Sequence, residues 1–141
     1  MKRTEARKLA FELLFEHEFE FYDNMSQTLD TAAEEREIDG GDAYVKKVTL
    51  GVEEHIKELD GIIGKYAVGY KIDRISHVSR SILRLALYEI LYVEDVPAGA
   101  AINEAVELAK TYEGEESGAF VNGILGEFVR KENIIKIPEE F

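Results

Sequence analysis

The sequence predicts an all-α fold of about seven helices, counting short ones, and three observations support this prediction. Apolar residues recur at intervals of three and four over most of the chain, which is the spacing of one face of an α-helix. Capping residues, glycine and proline interrupt this pattern repeatedly, so the helices are separate. No alternation of apolar and polar residues is long enough to indicate a β-strand.

The composition fits a single domain with a hydrophobic core. The 141 residues are 45% hydrophobic and include no cysteine, which excludes disulfides and thiolate metal sites. No apolar run reaches the length of a membrane-spanning helix, and we expect a cytoplasmic protein. The 29 acidic and 17 basic residues give a formal net charge of −12, which argues against a nonspecific nucleic-acid binder but allows a small basic patch.

Three helices are predicted in the first part of the chain. The first covers residues 4–20, where apolar and aromatic positions follow helical spacing. Asn24 with Gln27 resembles a capping pair that opens the second helix, and Asp42 is placed to cap a long third helix. Asp60-Gly61 is the expected position of a bend or break within that third helix.

A boundary between two subdomains is expected near residues 64–73, because two glycines end the apolar pattern there. The whole chain, residues 1–141, is then a single domain. It consists of an N-terminal helical subdomain of residues 1–70 and a C-terminal helical subdomain of residues 71–141.

The centre of the chain is the stretch from Ser81 to Gly126, in which three amphipathic helices follow one another. A short helical turn is expected before it, from Arg74 to Val78. Asp95-Val96-Pro97 and Glu113-Gly114 separate the three helices, because both are poor places for a helix to continue. The wide apolar face of the first of them predicts a central helix with several neighbours.

Two asparagines and two glycines in the last two helices have expected structural roles. Asn103 and Asn122 lie beside apolar residues, so we expect each amide to be buried and to tie neighbouring segments together. Gly123 and Gly126 are expected to permit a close approach of two helices, despite the cost of glycine within a helix.

No pattern in the sequence indicates an enzyme. His17, His55 and His77 are isolated and share no metal-ligand spacing. The glycine series from Gly114 to Gly126 lacks both the spacing and the preceding strand of a dinucleotide site. We therefore expect no catalytic residue, no metal site and no cofactor.

The N-terminus carries the best indication of a function that the residues alone provide. Positive charge at the start of a helix opposes the helix dipole and costs up to about 1 kcal/mol for each group. An anionic partner would explain such charges, whereas the alternative is that short basic N-termini are common and without function. The basic residues there are Lys2, Arg3, Arg7 and Lys8. A second basic set, around the start of the central helix, consists of Lys71, Arg74, Arg80 and Arg84.

Four linked motifs in this chain resemble the signature of the NusB family. They are ILRLALYEI at 82–90, DVP at 95–97, INEAVELAKTY at 102–112 and FVNGILG at 120–126, in the order and at the spacing of that family. The N-terminal ARKLAFELLFEHEF also resembles the family's opening helix. The likeness covers essentially the whole chain and is weakest at residues 22–42.

The resemblance implies two roughly perpendicular helical bundles and a non-enzymatic role in bacterial transcription antitermination, which promotes ribosomal RNA synthesis. Family members bind the boxA element of nascent RNA together with NusE, a small-subunit ribosomal protein. The pair then joins NusA, NusG and RNA polymerase. A homodimer is also compatible with the sequence, because a self-association surface could cover the basic patch.

The resemblance further implies which residues meet these partners. The RNA-binding set combines the basic N-terminus with the start of the last helix and comprises Lys2, Arg3, Arg7, Glu116, Ser117 and Phe120. The NusE-facing set comprises Asp73, Val78 and Ser79. Phe120 is the expected base-stacking side chain. A place in the core is the alternative for Phe120, because it lies one helical turn from Ile124.

The chain departs from the family pattern at Thr4 and Glu5, which interrupt the basic run of the N-terminus. Fewer phosphate contacts predict weaker RNA binding by the chain alone, a shallower salt dependence and a stronger need for the protein partner. The alternative function is a stand-alone NusB-like protein-interaction module without specific RNA binding. Such domains also precede the catalytic domain of some ribosomal RNA cytosine methyltransferases.

Overall fold

Helices make up nearly all of the described chain. The computed structural model describes residues 2–19, 24–35 and 43–134, and these ranges contain seven α-helices, a 3-10 turn at Ile72–Arg74 and no strand. The helices are α1 (Arg3–His17), α2 (Met25–Glu35), α3 (Ala43–Glu54), α4 (Ile56–Tyr66), α5 (His77–Tyr92), α6 (Ala98–Glu113) and α7 (Glu115–Lys131). The predicted all-α fold of about seven helices is confirmed. No helix in these ranges is long and apolar enough to cross a membrane.

The chain forms two compact units that divide between His55 and Ile56. Helices α1 to α3 form the N-terminal unit, and α4 to α7 form the C-terminal unit. The division lies before the boundary expected near residue 70, because α4 packs against α5 and α7. Gly64 lies inside α4, and Gly69, which follows that helix, marks a turn inside the C-terminal unit.

Packing in the N-terminal unit is centred on α1, which contacts both α2 and α3. A buried cluster joins the three helices and consists of Ala6, Leu13, Ala32 and Val45. The predicted cap of α2 is confirmed, because the backbone N–H of Gln27 donates to Oδ1 of Asn24 at 3.0 Å. Asp42, the expected cap of the next helix, lies outside the described residues.

The long third helix of the sequence prediction is in fact two helices. Helix α3 ends just before His55 and α4 begins just after it. The predicted break at Asp60-Gly61 is wrong, because both residues lie inside α4. The carboxylate of Asp60 there accepts two hydrogen bonds from the guanidinium of Arg84 on α5, at 2.7 and 2.9 Å. This bidentate pair holds the middle of α4 against α5.

Helix α5 is the central helix of the C-terminal unit and contacts α4, α6 and α7. Ser76 begins it, because the Ser76 hydroxyl oxygen accepts the backbone N–H of Ser79 at 3.0 Å. The short turn predicted at Arg74–Val78 is wrong in position. The 3-10 turn covers Ile72–Arg74, and Val78 lies in the first turn of α5.

A single residue, Gly114, connects α6 to α7. Its φ of 99° is a backbone conformation that residues with a side chain rarely adopt. Its N–H donates to the carbonyl oxygens of Ala109 and Lys110 at 3.2 and 3.0 Å, which closes the end of α6. Helix α7 therefore starts directly beside the end of α6 and packs against it.

Among Gly118, Gly123 and Gly126 of α7, Gly118 is the one that lies against a side chain of α6. A Cβ on Gly118 would lie 2.7 Å from Cγ of Lys110, which is closer than carbon atoms can approach without a shift. A Cβ on Gly123 or Gly126 would meet nothing within 4 Å. The prediction that these two glycines permit a close helix approach is therefore wrong.

The amides of Asn103 and Asn122 are exposed, so the prediction that they are buried is also wrong. Ala101 and Val121 supply the buried positions beside them. Each residue of a helix is rotated by about 100° from the one before it, so a polar side chain one or two positions from a buried residue points elsewhere. Proximity to apolar residues in the sequence therefore does not determine which way the side chains of Asn103 and Asn122 point.

Candidate functional site

A groove of about 280 Å³ lies within the C-terminal unit, where the starts of α5 and α7 meet the end of α6. We call it the α5–α7 groove. Its wall on α7 contains Glu116, Ser117 and Phe120, the three residues predicted for RNA contact at the start of the last helix. Ser79, predicted for the NusE-facing set, lines the same groove. The fold therefore brings members of both predicted sets together.

Tyr70 and Phe120 form an aromatic pair in the α5–α7 groove. Their ring centroids are 5.2 Å apart and the ring planes meet at 71°, which is a favourable edge-to-face arrangement. The Tyr70 side chain is 56% exposed, and Phe120 is half-buried. Gly69, with a φ of 86°, turns the chain after α4 and so places Tyr70 opposite α7. The pair leaves aromatic surface open to a ligand.

Glu113 lies at the end of α6 and holds three hydroxyl groups in the groove. The hydroxyls of Ser76, Ser79 and Ser117 all donate to its Oε1 atom, at 2.8, 3.0 and 3.0 Å. These serines come from the start of α5 and the start of α7, so one carboxylate oxygen joins three helices. We call this arrangement the Glu113 clasp. Its hydrogen bonds involve a charged acceptor, which makes them stronger than those between neutral groups.

Four basic residues of the second predicted set have different environments. Arg74 is exposed and lines the groove, and Lys71 is also exposed. The Arg84 guanidinium is engaged by Asp60, and Arg80 donates to the carbonyl oxygen of Ile72 at 3.3 Å. Arg74 is therefore the member of this set that borders the candidate site.

The predicted basic residues of the N-terminus also differ from one another. Lys2 and Arg3 are exposed, and the Arg3 guanidinium carbon lies 4.1 Å from the centroid of the Tyr44 ring, which is a cation–π contact. Arg7 is only 5% exposed. The sequence contained a signal for the burial of Arg7, because Arg7 shares one helical stripe with the apolar residues Ala10 and Leu14. The structure shows that both of these apolar residues are buried.

The remaining predicted partner residues lie near the start of α5. Asp73 is exposed on the 3-10 turn, and Val78 is half-buried in the first turn of α5. Ser79 is 3% exposed and its hydroxyl belongs to the Glu113 clasp. Asp73 and Val78 are thus accessible side chains beside the groove, whereas Ser79 lies inside it.

The chain is similar to known proteins over most of its length. The sequence model of the NusB family matches residues 4–130. The chain belongs to the NusB family. It is 43% identical to the transcription antitermination protein NusB of Acetivibrio thermocellus over 131 residues, which covers 92% of this chain and 90% of that protein. It is 39% identical to the NusB of an Exiguobacterium species over 134 residues, which covers 94% and 100%.

Solved structures agree with this assignment. A crystal form of T. maritima NusB superposes with a TM-score of 0.83 and 34% identity, and the match covers 93% of this chain and 92% of that one. A crystal structure of the antitermination factors NusB and NusE in complex with dsRNA gives a TM-score of 0.80 and 33% identity over 92% and 96%. The fold is therefore NusB-like, and the chain is a non-enzymatic transcription antitermination factor.

Sequence reasoning missed Tyr70 and Glu113, which are among the residues that line the groove. Tyr70 was overlooked because it lies in a loop, where helical spacing provides no information. Glu113 was read only as part of a helix stop. Its position immediately before Gly114 was the available signal, because a side chain at that point faces the start of the next helix.

Proposed function

We propose that this chain binds boxA RNA together with NusE and promotes transcription of ribosomal RNA by antitermination. The observation that carries the proposal is the open aromatic pair of Tyr70 and Phe120 beside Arg74 in the α5–α7 groove. Unpaired bases stack on aromatic side chains in single-stranded RNA recognition, and a guanidinium binds the adjoining phosphate.

The solved relative with NusE and dsRNA supports this choice of partners, because the match extends over nearly all of both chains. Lys2 and Arg3 supply further phosphate contacts from the N-terminal unit. The cation–π contact with Tyr44 restricts the Arg3 side chain and so reduces the entropy lost on binding. Arg7 is buried, and it supports α1 more than it contacts phosphate.

NusE is proposed to bind near the start of α5, where Asp73 and Val78 are accessible. The net charge of −12 opposes RNA binding by the chain alone, and a basic ribosomal protein would offset it. The complex of chain, NusE and RNA would then join NusA, NusG and RNA polymerase in the cytoplasm. Where a homodimer forms, its formation and RNA binding would compete for the same surface.

Fluorescence anisotropy with labelled boxA RNA and scrambled RNA, each with and without NusE, tests the proposal. We expect preference for boxA and a marked gain in affinity when NusE is present. Equally tight binding with and without NusE would contradict the dependence on the partner. The stand-alone interaction module makes a different prediction, namely that NusE binds while boxA and scrambled RNA behave alike.

A further inference from the structure

We infer that Glu113 is a specificity-determining residue, which selects a base with an exocyclic amino group (adenine, cytosine or guanine) over uracil in the α5–α7 groove. This inference rests on the proposed function, since it assigns a chemical preference to the same site. It depends on the Glu113 clasp, which fixes the carboxylate before any ligand arrives.

The two oxygens of Glu113 have different surroundings. Oε1 accepts three hydroxyl hydrogen bonds, from Ser76, Ser79 and Ser117. Within the described ranges, Oε2 accepts no hydrogen bond and forms no ion pair. A glutamate side chain normally loses rotamer entropy when it binds a ligand, and the three serines have already removed most of that freedom. Oε2 is therefore a fixed acceptor with open capacity.

An ionised carboxylate only accepts hydrogen bonds, so its ligand must donate one. Adenine offers its N6 amino group, cytosine its N4 amino group and guanine its N2 amino group, and acceptance from cytosine N4 is a known role of acidic side chains. Uracil has a carbonyl oxygen at the corresponding position. That oxygen would face Oε2 without a hydrogen between them, and both atoms would carry negative charge.

The groove has room for one base. Its volume of about 280 Å³ lies just below the range of about 300–1,000 Å³ that is typical of sites for drug-sized ligands. A ring that stacks on Phe120 lies in the same groove as Glu113, because Ser117 on the first turn of α7 binds Glu113 and Phe120 follows one turn later. Stacking on Phe120 contributes affinity for any base, and the hydrogen bond to Glu113 determines which bases bind more tightly.

The test measures the affinity of the complex with NusE for boxA RNA in which single amino groups are removed. Each cytidine is replaced in turn by uridine, each adenosine by purine riboside and each guanosine by inosine. For the unchanged protein we expect a loss on the order of tenfold at one position, which is the size of one hydrogen bond to a charged group. The Glu113→Gln variant should bind that substituted RNA as tightly as the original RNA or more tightly.

Glu113→Gln keeps an oxygen for the serine hydroxyls, so its thermal stability should stay close to that of the unchanged protein. Glu94→Gln, the same change of charge at an exposed position outside the groove, should keep the tenfold discrimination. Discrimination that survives in Glu113→Gln, or that is absent from the unchanged protein, would overturn the inference. A Phe120→Ala variant that binds boxA RNA with undiminished affinity would instead contradict the proposed RNA site. The inference about Glu113 would then fail as well.

Discussion

The ring of Tyr70 meets the ring of Phe120 edge to face, with centroids 5.2 Å apart. Tyr70 belongs to the loop after α4 and Phe120 to the second turn of α7, so the contact joins two parts of the C-terminal unit. Phe120 is held by this contact but is not enclosed by it. A half-buried aromatic side chain that is already oriented can bind a base with little loss of its own freedom.

Replacing Phe120 by alanine should weaken binding of boxA RNA by about tenfold or more, since one base stacked on an aromatic side chain contributes about 1–3 kcal/mol. Phe120→Tyr should retain most of the affinity because the ring remains. Fluorescence anisotropy measures both effects. The matched control is Tyr92→Ala, which removes another partly exposed ring that does not line the groove. Equal losses in both alanine variants would point to a general defect in folding.

Charge reversal at Arg3 and at Arg7 should have different consequences. Arg3→Glu should weaken RNA binding and reduce its salt dependence with little change in melting temperature, because Arg3 is exposed. Arg7→Glu, by contrast, should lower the free energy of unfolding by roughly 2 kcal/mol or more, because the new carboxylate would lie in a buried position. Thermal unfolding of the two variants, measured beside RNA affinity, separates the roles. Similar melting temperatures would show that Arg7 is accessible in solution.

Two glycines of α7 should respond to alanine in opposite directions. Gly118→Ala should lower stability, because the new Cβ would lie 2.7 Å from Cγ of Lys110 and force that side chain to move. Gly123→Ala should raise stability by up to about 1 kcal/mol, because it gains helix propensity and meets no neighbouring atom. Urea unfolding of both variants gives the comparison. A gain for Gly118→Ala would mean that Lys110 moves away at no cost.

Glu132 should titrate below the ordinary pKa of a glutamate. The hydrogen bond from Tyr66 is the main cause of the lowered pKa, followed by the hydrogen bond from Lys65 and the attraction to its charge. Because the folded-state pKa is depressed, this carboxylate stabilises the fold above its unfolded pKa. That contribution is lost as the pH falls through the lower, folded value. Lys65 and Glu132 are exposed, so the effect on stability should be small.

Carboxyl-resolved NMR titration of the unchanged protein and of Tyr66→Phe would measure this shift. The pKa of Glu132 should rise towards its ordinary value in the variant. An unchanged pKa of Glu132 in Tyr66→Phe would exclude the tyrosine hydroxyl as its main cause.

Helical periodicity was sufficient to predict an all-α fold and to place most of the helices, because the buried stripe of each helix is a local pattern. Phe120 was indicated by the resemblance of the FVNGILG motif to the NusB family and not by periodicity. Periodicity was insufficient for Asn103 and Asn122, since direction around a helix depends on phase and both amides lie off the buried stripe. The clasp could not be predicted, because Ser76 and Glu113 meet only after α5 and α6 have packed.

Gly114 has no side chain, but its backbone conformation shapes the groove. Its φ of 99° lets α7 begin directly after α6, and Glu113 and Ser117, on either side of it, are thereby within hydrogen-bonding distance. The φ angle of Gly114 thus helps to determine the distance between the Glu113 carboxylate and the ring of Phe120. Among variants that lose RNA recognition, replacements of Gly114 should be found beside those of Phe120, although this glycine touches no ligand.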